Sequence, residues 1–400
     1  MKDFKDRSIL LELQVNLKLN KQVLVMTGMR RVGKTTLLKY LYDRVKTKNK
    51  IILDLENVLV RKIFNEENYE NVVLALEQEG YDFSKKGYIF IDEIQFVRNS
   101  PSVIKYLYDK YKDVDKGIKF VVTGSSSFYL KNYFSESLSG RKVIVNIYPL
   151  TYKEFLDFKG IKKQQFKSYK VKALKKIDLA QNKFGELYQE YMKYGGLPEV
   201  VLAKSIKEKR QLLEDVSKSY FQIDVTTLMD YKDVGVLRDL LILLTQRVGQ
   251  KLNITNLANV LKIRRDQVYA YLEFLEATFV IRLISQKSSV DNKVSADDKL
   301  FFSDNGLAQM LDQISVGSLL ENSVFMNLAY VNDLSYYQTN SGQEIDFIVD
   351  NKIGLEVKRS PSQQDVANLK KRLKSAKLKR GYVVGLNFYD SQDVIMAWDL

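Results

Sequence analysis

The chain has 400 residues, none of them cysteine or histidine. Those absences exclude disulfides, thiolate nucleophiles, Cys- or His-ligated metals and Ser-His-Asp catalysis, leaving carboxylates, Lys, Arg, hydroxyls, backbone amides and oxygen-bound ions such as magnesium. The net charge of +14 is regional: 151–220 holds 16 Lys/Arg against 9 Asp/Glu, and 352–380 holds 10 against 2.

Basic stretches of this kind suit nucleic-acid phosphates or anionic membranes. A lysine-rich codon bias that solvates helix faces gives the same count. The length predicts two or three domains of about 100–200 residues each. Apolar runs such as 240–244 fall far short of the ~18 residues that span a bilayer. The opening MKDFKDRSILLELQ carries no signal-like apolar block, so a soluble, cytoplasmic protein without a membrane partner is expected.

The first informative element is the stretch from Lys21 to Tyr42. A β-branched strand, Val23-Leu24-Val25-Met26, leads into Gly28-Met29-Arg30-Arg31-Val32-Gly33-Lys34-Thr35, and an apolar helix follows. This fits G-x-x-x-x-G-K-[ST], in which glycines let loop amides wrap phosphate oxygens at a helix amino terminus. Lys34 is expected to reach the β- and γ-phosphates and Thr35 to ligate magnesium. Next comes Tyr88-Ile89-Phe90-Ile91-Asp92-Glu93, a buried-strand run ending in two carboxylates. Asp92 is expected in the magnesium shell, with Glu93 orienting or deprotonating the attacking water. Alone, such a pair is equally a solvated strand end.

A further strand runs from Lys119 to Thr123 and ends in Gly124-Ser125-Ser126, placing Ser125 where it would sense the γ-phosphate or the water. Ser139-Gly140-Arg141 then precedes the strand Val143-Ile144-Val145. Arg141 is a candidate arginine finger, acting in cis or on a neighbouring subunit, and equally an ordinary surface arginine.

Gly28–Thr36, Asp92-Glu93, Thr123–Ser126 and the run from Ser139 through Tyr148-Pro149-Leu150-Thr151-Tyr152-Lys153-Glu154-Phe155 together resemble a widespread family of prokaryotic AAA-type P-loop ATPases with a carboxy-terminal domain of largely uncharacterised role. The resemblance covers almost the whole chain. It implies ATP and magnesium, with Gly28, Arg31, Gly33, Lys34, Thr35 and Thr36 on the nucleotide. The fold it implies is α/β, a parallel sheet over 1–150 followed by a helical lid over 151–235. Tyr194-Gly195-Gly196-Leu197-Pro198-Glu199 is similar to the family's lid motif, and a tight turn needing both glycines is the simple account of it.

From Val236 short helices take over. Ile254–Leu261 reads as one, capped by Asn253; a second starts at Arg264-Arg265-Asp266-Gln267 and buries Val268, Tyr271, Leu272 and Leu275 on one face. With the strand Phe279–Ile284 as a wing, 236–300 has the order of a winged helix-turn-helix. Lys262, Arg264, Arg265 and Gln267 then meet DNA, or the module packs on the ATPase and relays its state.

Over 301–400 a helix around Leu319–Ala329 carries Glu321, strands carry Asp346 and Glu356-x-Lys358, and a helix near Gln363–Lys374 and a strand Gly381–Leu386 complete the set. This resembles the PD-(D/E)XK nuclease superfamily. Strand alternation sends Glu356 and Lys358 to one face. Glu321, Asp346 and Glu356 would make an all-oxygen magnesium site with Lys358 at the water or the phosphorane charge. The same residues also serve as salt bridges in a domain that binds and cuts nothing. Two readings therefore stand: an ATPase driving a DNA-handling, possibly cleaving domain, or a signal-transducing ATPase switch with an inactive partner-binding half.

Overall fold

A computed structural model describes residues 4–19, 22–97, 99–111, 117–125, 138, 140–161, 174–225, 234–287, 298–339 and 342–400. Lys21, Ser126, Ser139 and much of the basic stretch 162–173 lie outside the described residues. The chain divides into two compact units, 1–148 with 277–279, and 149–276 with 280–400.

In the first unit α1 (Leu10–Leu19) precedes β1 (Val23–Thr27), α2 (Lys34–Arg44), β2 (Lys50–Asp54), α3 (Val58–Phe64), α4 (Tyr69–Gln78), β3 (Gly87–Asp92), α5 (Ser100–Lys110), β4 (Ile118–Gly124) and β5 (Lys142–Asn146). Among the described residues the strands form one parallel sheet in the order β2-β3-β4-β1-β5. β1 and β4 are buried along their whole length. Their near-continuous apolar sequences reflect a sheet covered on both faces. Because the chain order is broken between β1 and β3, β4 lies between the strand that leads into the glycine loop and the strand that ends in Asp92.

The second unit continues with α6 (Tyr152–Phe158), α7 (Leu174–Tyr194), α8 (Pro198–Leu202), α9 (Ile206–Ser219), α10 (Val234–Thr245), α11 (Ile254–Leu261) and α12 (Arg265–Ala277). Thr151 and Glu154 form a capping box at the start of α6, satisfying two otherwise orphaned backbone donors. Strands β6 (Ile281–Ile284) and β7 (Lys299–Phe302) pair antiparallel, and the segment before α11 bridges to β7 at Val248 and Lys251.

Then follow α13 (Asn305–Leu311), α14 (Val316–Leu328), β8 (Leu334–Gln338), β9 (Glu344–Val349), β10 (Ile353–Lys358), α15 (Gln363–Ser375), β11 (Arg380–Gly385) and β12 (Val394–Met396). The five strands make a sheet in the order β12-β11-β10-β9-β8. β9 and β10 are antiparallel, joined at Asp350-Asn351, both at positive φ, the conformation a two-residue type I′ hairpin turn requires. β10 and β11 are parallel, and α15 makes the crossover, burying Val366, Leu369 and Leu373 against Ile345, Ile348 and Val383.

Residues 149–276 and 280–400 form one compact unit. α7 packs on α13 and α14, and α9 on α13. The glycine pair shows why. Gly195 takes φ 76 and Gly196 donates its N–H to the buried Asp304 carboxylate at 2.7 Å, which also caps α13 through the Leu307 N–H. The single tryptophan, Trp398, lies buried in the last turn, with a ring carbon 3.7 Å from where a Cβ on Gly185 of α7 would stand.

Among the described residues no helix is long and apolar enough to cross a membrane.

Candidate nucleotide site

The carboxyl end of β1 opens into the glycine loop. Gly28 runs so close to the exit of β5 that a Cβ there would stand 2.0 Å from Ile147 O. Gly33 caps α2 at φ 95, a left-handed conformation that costs a side-chain-bearing residue about 1 kcal/mol. Arg31 also takes a positive φ, 67°, and it and Thr36 are exposed. The buried Lys34 ammonium donates to Gly28 O at 2.8 Å and Met29 O at 3.1 Å, spanning the loop from within.

The acidic pair is held from β4. The Thr123 hydroxyl donates to Asp92 Oδ1 and accepts the Glu93 backbone N–H at 3.0 Å, a bridge that exists because β4 is the neighbour of β3. Asp92 also hydrogen-bonds the Thr35 side chain; burial, the leading cause, raises its pKa against those two bonds. Glu93, at φ 52, starts a single helical turn. Its carboxylate accepts from Gln95 Nε2 and, at 3.1 Å, from Ser125 Oγ, and Gln95 donates to Ser125 at 2.7 Å. Burial pushes the Glu93 pKa up, but the Lys34 charge, the Gln95 hydrogen bond, Arg30 and Ser125 together hold it below its ordinary value.

The structure thus brings Gly28, Gly33, Lys34, Thr35, Asp92, Glu93 and Ser125 to one end of the sheet. Thr123, Gln95 and Arg7 belong with them and were not singled out from the sequence. Arg7 donates to Val32 O at 3.1 Å and Tyr148 O at 2.8 Å, tying the loop to the exit of β5. Arg141 is a correction where a cis finger is concerned. Its carbonyl accepts the Val23 N–H at the amino end of β1, five strand residues or about 16 Å from the loop. Its guanidinium pairs with Asp109 at 3.0 Å.

The geometry fits a phosphate ligand: an ammonium, the amino terminus of an 11-residue helix, and a hydroxyl on a buried carboxylate stand together. Residues 20–156 match the AAA domain family. This part of the chain is similar to AAA-type P-loop domains. Two domains of unknown function match 185–317 and 316–397. An uncharacterized protein of Methanocaldococcus jannaschii is 28% identical over 388 residues, covering 92% of this chain and 82% of that protein. One of Haemophilus influenzae is 28% identical over 342 residues, covering 81% and 78%. A Walker-type ATPase of Pyrococcus abyssi superposes with a TM-score of 0.46 at 16% identity, covering 78% of this chain and 96% of that one.

In the carboxy-terminal sheet, Glu321 of α14, Asp346 of β9, and Glu356 and Lys358 of β10 lie in one ionic cluster. Lys358 Nζ and Arg372 Nη1 both stand 2.8 Å from Glu356 Oε1, and Asp346 Oδ2 accepts the Val357 N–H at 2.7 Å. Lys299, not singled out from the sequence, pairs with Glu344 and, at 3.5 Å, with Glu321. Burial pushes the carboxyls of Glu321 and Asp346 up, aided by Asp346 and Glu356 respectively. Among the described residues no group of three or more acidic side chains is placed to hold a metal ion. Of the expected metal set, Glu321 pairs with Lys299 and Glu356 with Lys358 and Arg372, and Asp346 accepts the Val357 N–H.

The basic residues at the start of α12 are exposed. Arg264 pairs with Asp266 at 3.2 Å, and its backbone N–H is accepted by Gln267 Oε1 at 3.1 Å. Lys262, at φ 56, ends α11.

Proposed function

We propose that the protein binds and hydrolyses ATP at the Gly28–Thr36 loop and couples its nucleotide state to a DNA-handling carboxy-terminal half. The observation that carries the first part is the Thr123 bridge, which fixes Asp92 and Glu93 side by side while Glu93 feels the Lys34 charge. Bound with magnesium, the nucleotide would supply a polarised terminal phosphoryl group. Lys34 and the loop amides bind its phosphates, and Thr35 and Asp92 hold the ion. Glu93 takes the proton of the attacking water, and Gln95 and Ser125 orient that carboxylate. Its lowered pKa keeps it ionised and ready to accept at neutral pH.

DNA handling is supported by the basic face of α15 and the segment after it. Lys371, Lys374, Lys377, Lys379 and Arg380 are exposed there, and a row of uncommitted cations suits a phosphate backbone. The order α10, α11, α12, β6, β7 supports a winged-helix reading of that stretch, with Lys262, Arg264 and Arg265 outward. The sheet β8–β12 with α14 and α15 supports a nuclease-like fold.

Glu93→Gln tests the catalytic assignment. ATP binding is expected to persist while hydrolysis falls at least ~100-fold; a variant that binds tightly and turns over at the wild-type rate removes Glu93 from the reaction.

A further inference from the structure

Three of the carboxylates around the carboxy-terminal sheet are already paired with cations of the protein. The Lys299 side chain is only 2% exposed. Its ammonium lies between Glu344 and Glu321 and 5.4 Å from the centre of the fully buried Tyr336 ring. Behind Glu321 the wall is backbone: a Cβ on Gly249 would stand 2.5 Å from Glu321 Oε2. On the other side Glu356 Oε1 receives both Lys358 and Arg372, and Arg372 also donates to Glu344 O at 2.8 Å, fastening β9 to α15. Lys299 thus pairs with Glu321 and Glu344, and Lys358 and Arg372 with Glu356, while Asp346 accepts the Val357 N–H. Glu356 Oε2 is buried without a hydrogen-bond partner.

Magnesium takes about six oxygens in near-octahedral geometry and sheds water reluctantly. Glu321 Oε2, Asp346 Oδ1 and Glu356 Oε2 accept no described hydrogen bond, yet these side chains are not grouped closely enough to make that shell. Seating an ion beside Glu321 requires Lys299 to leave, and withdrawing one partner of a buried pair is strongly destabilising.

We propose that Lys299 is the resident cation of this site, replacing a divalent metal, so that the carboxy-terminal domain holds nucleic acid without cutting it. The nucleic-acid part rests on the preceding reading; the cation part stands on the cluster alone. Lys299 is a positioning residue: it keeps α14 and β9 together by pairing Glu321 with Glu344.

The test uses nucleotide-free full-length protein titrated with Mn2+ by calorimetry and electron paramagnetic resonance. Wild type and Asp346→Asn are expected to bind the same amount of Mn2+. Lys299→Met is expected to gain about one ion per chain, lost again in Lys299→Met with Asp346→Asn. Supercoiled plasmid with Mg2+ or Mn2+ should stay intact with wild type. The proposal is overturned if wild type holds an ion that Asp346→Asn releases, if it nicks plasmid in an Asp346-dependent way, or if folded Lys299→Met gains no ion. Should Lys299→Met not fold, the comparison of wild type with Asp346→Asn decides by itself. Failure of wild type to retain DNA at low salt sinks the DNA reading and leaves the ion measurement standing.

Discussion

The carboxylate of Asp304 accepts the Gly196 backbone N–H at 2.7 Å, and a Cβ on Gly195 would come within 2.2 Å of its other oxygen. One acidic side chain thereby closes the turn after α7 and caps α13. Gly195→Ala meets both that oxygen and a φ of 76°, so a loss of about 3 kcal/mol is expected. Thermal unfolding followed by circular dichroism should show a drop of several degrees; an unchanged midpoint would mean that the turn yields freely.

Asp304 also sets a pH dependence. Burial pushes its pKa up to about 6, against the hydrogen bonds from Gly196, Leu307 and Gly306. A carboxyl raised on folding binds more protons folded than unfolded, so its contribution is greatest below the unfolded value of about 4 and falls away as pH rises to about 6. Asp304→Asn is expected to flatten that part of the stability curve, measured by urea unfolding at closely spaced pH values. An unaltered slope would assign the dependence to other groups.

For the nucleotide site, Gln95→Leu removes a hydrogen bond that lowers the Glu93 pKa. The acid limb of the hydrolysis profile should therefore move to higher pH, with ATP affinity little changed. Thr123→Val takes away both the donor to Asp92 and the acceptor for the Glu93 N–H. Its expected signature is a fall in kcat of ten-fold or more with KM nearly constant, since the bridge positions the acidic pair rather than the phosphates. A raised KM with kcat unchanged would instead place Thr123 in nucleotide binding.

Arg141→Ala should leave hydrolysis in dilute protein unchanged, because Arg141 lies at the amino end of the strands, away from its own loop. Its half-exposed pair with Asp109 is worth at most about 1 kcal/mol. If Arg141 serves a neighbouring subunit, wild-type turnover per molecule rises with protein concentration and the variant loses that rise. A large loss at high dilution would restore a role in cis.

Lys371→Glu and Lys374→Glu change exposed residues of α15 that no described ion pair uses. Each should weaken DNA retention across sequences and reduce the slope of log affinity against log salt by about one. Filter binding at several salt concentrations measures it, and an unmoved slope would take α15 out of the DNA surface.

The phosphate loop, the Asp92-Glu93 strand and the helix-strand-strand-helix-strand order from Leu319 to Gly385 were legible because each shows in short runs with their own spacing. Gln95, Thr123, Lys299 and Asp304 were not, since each acquires its partner only through folding. Thr123 meets Asp92 because β4 inserts beside β3, and Lys299 meets Glu344 from 45 residues away. Strands β8 and β12 were passed over because Leu334–Gln338 and Val394–Met396 are short and only partly buried. The spacing of Glu321, Asp346 and Glu356 pointed to a metal; the pairing of Lys299 with Glu321 and of Arg372 with Glu356 is visible only in the fold. The glycine pair, expected as a tight turn, is one: a Cβ on Gly195 would meet the Asp304 carboxylate and one on Gly196 would meet Leu150 O.

Trp398 gives the molecule an optical consequence. It is the sole indole in the chain, it lies in the second unit, and it packs beside Gly185 on α7. Its emission is therefore a built-in reporter confined to the carboxy-terminal half, while the phosphate loop has no tryptophan of its own. A change in that emission when ATP is added to unlabelled protein would time the arrival of the nucleotide signal in the second unit.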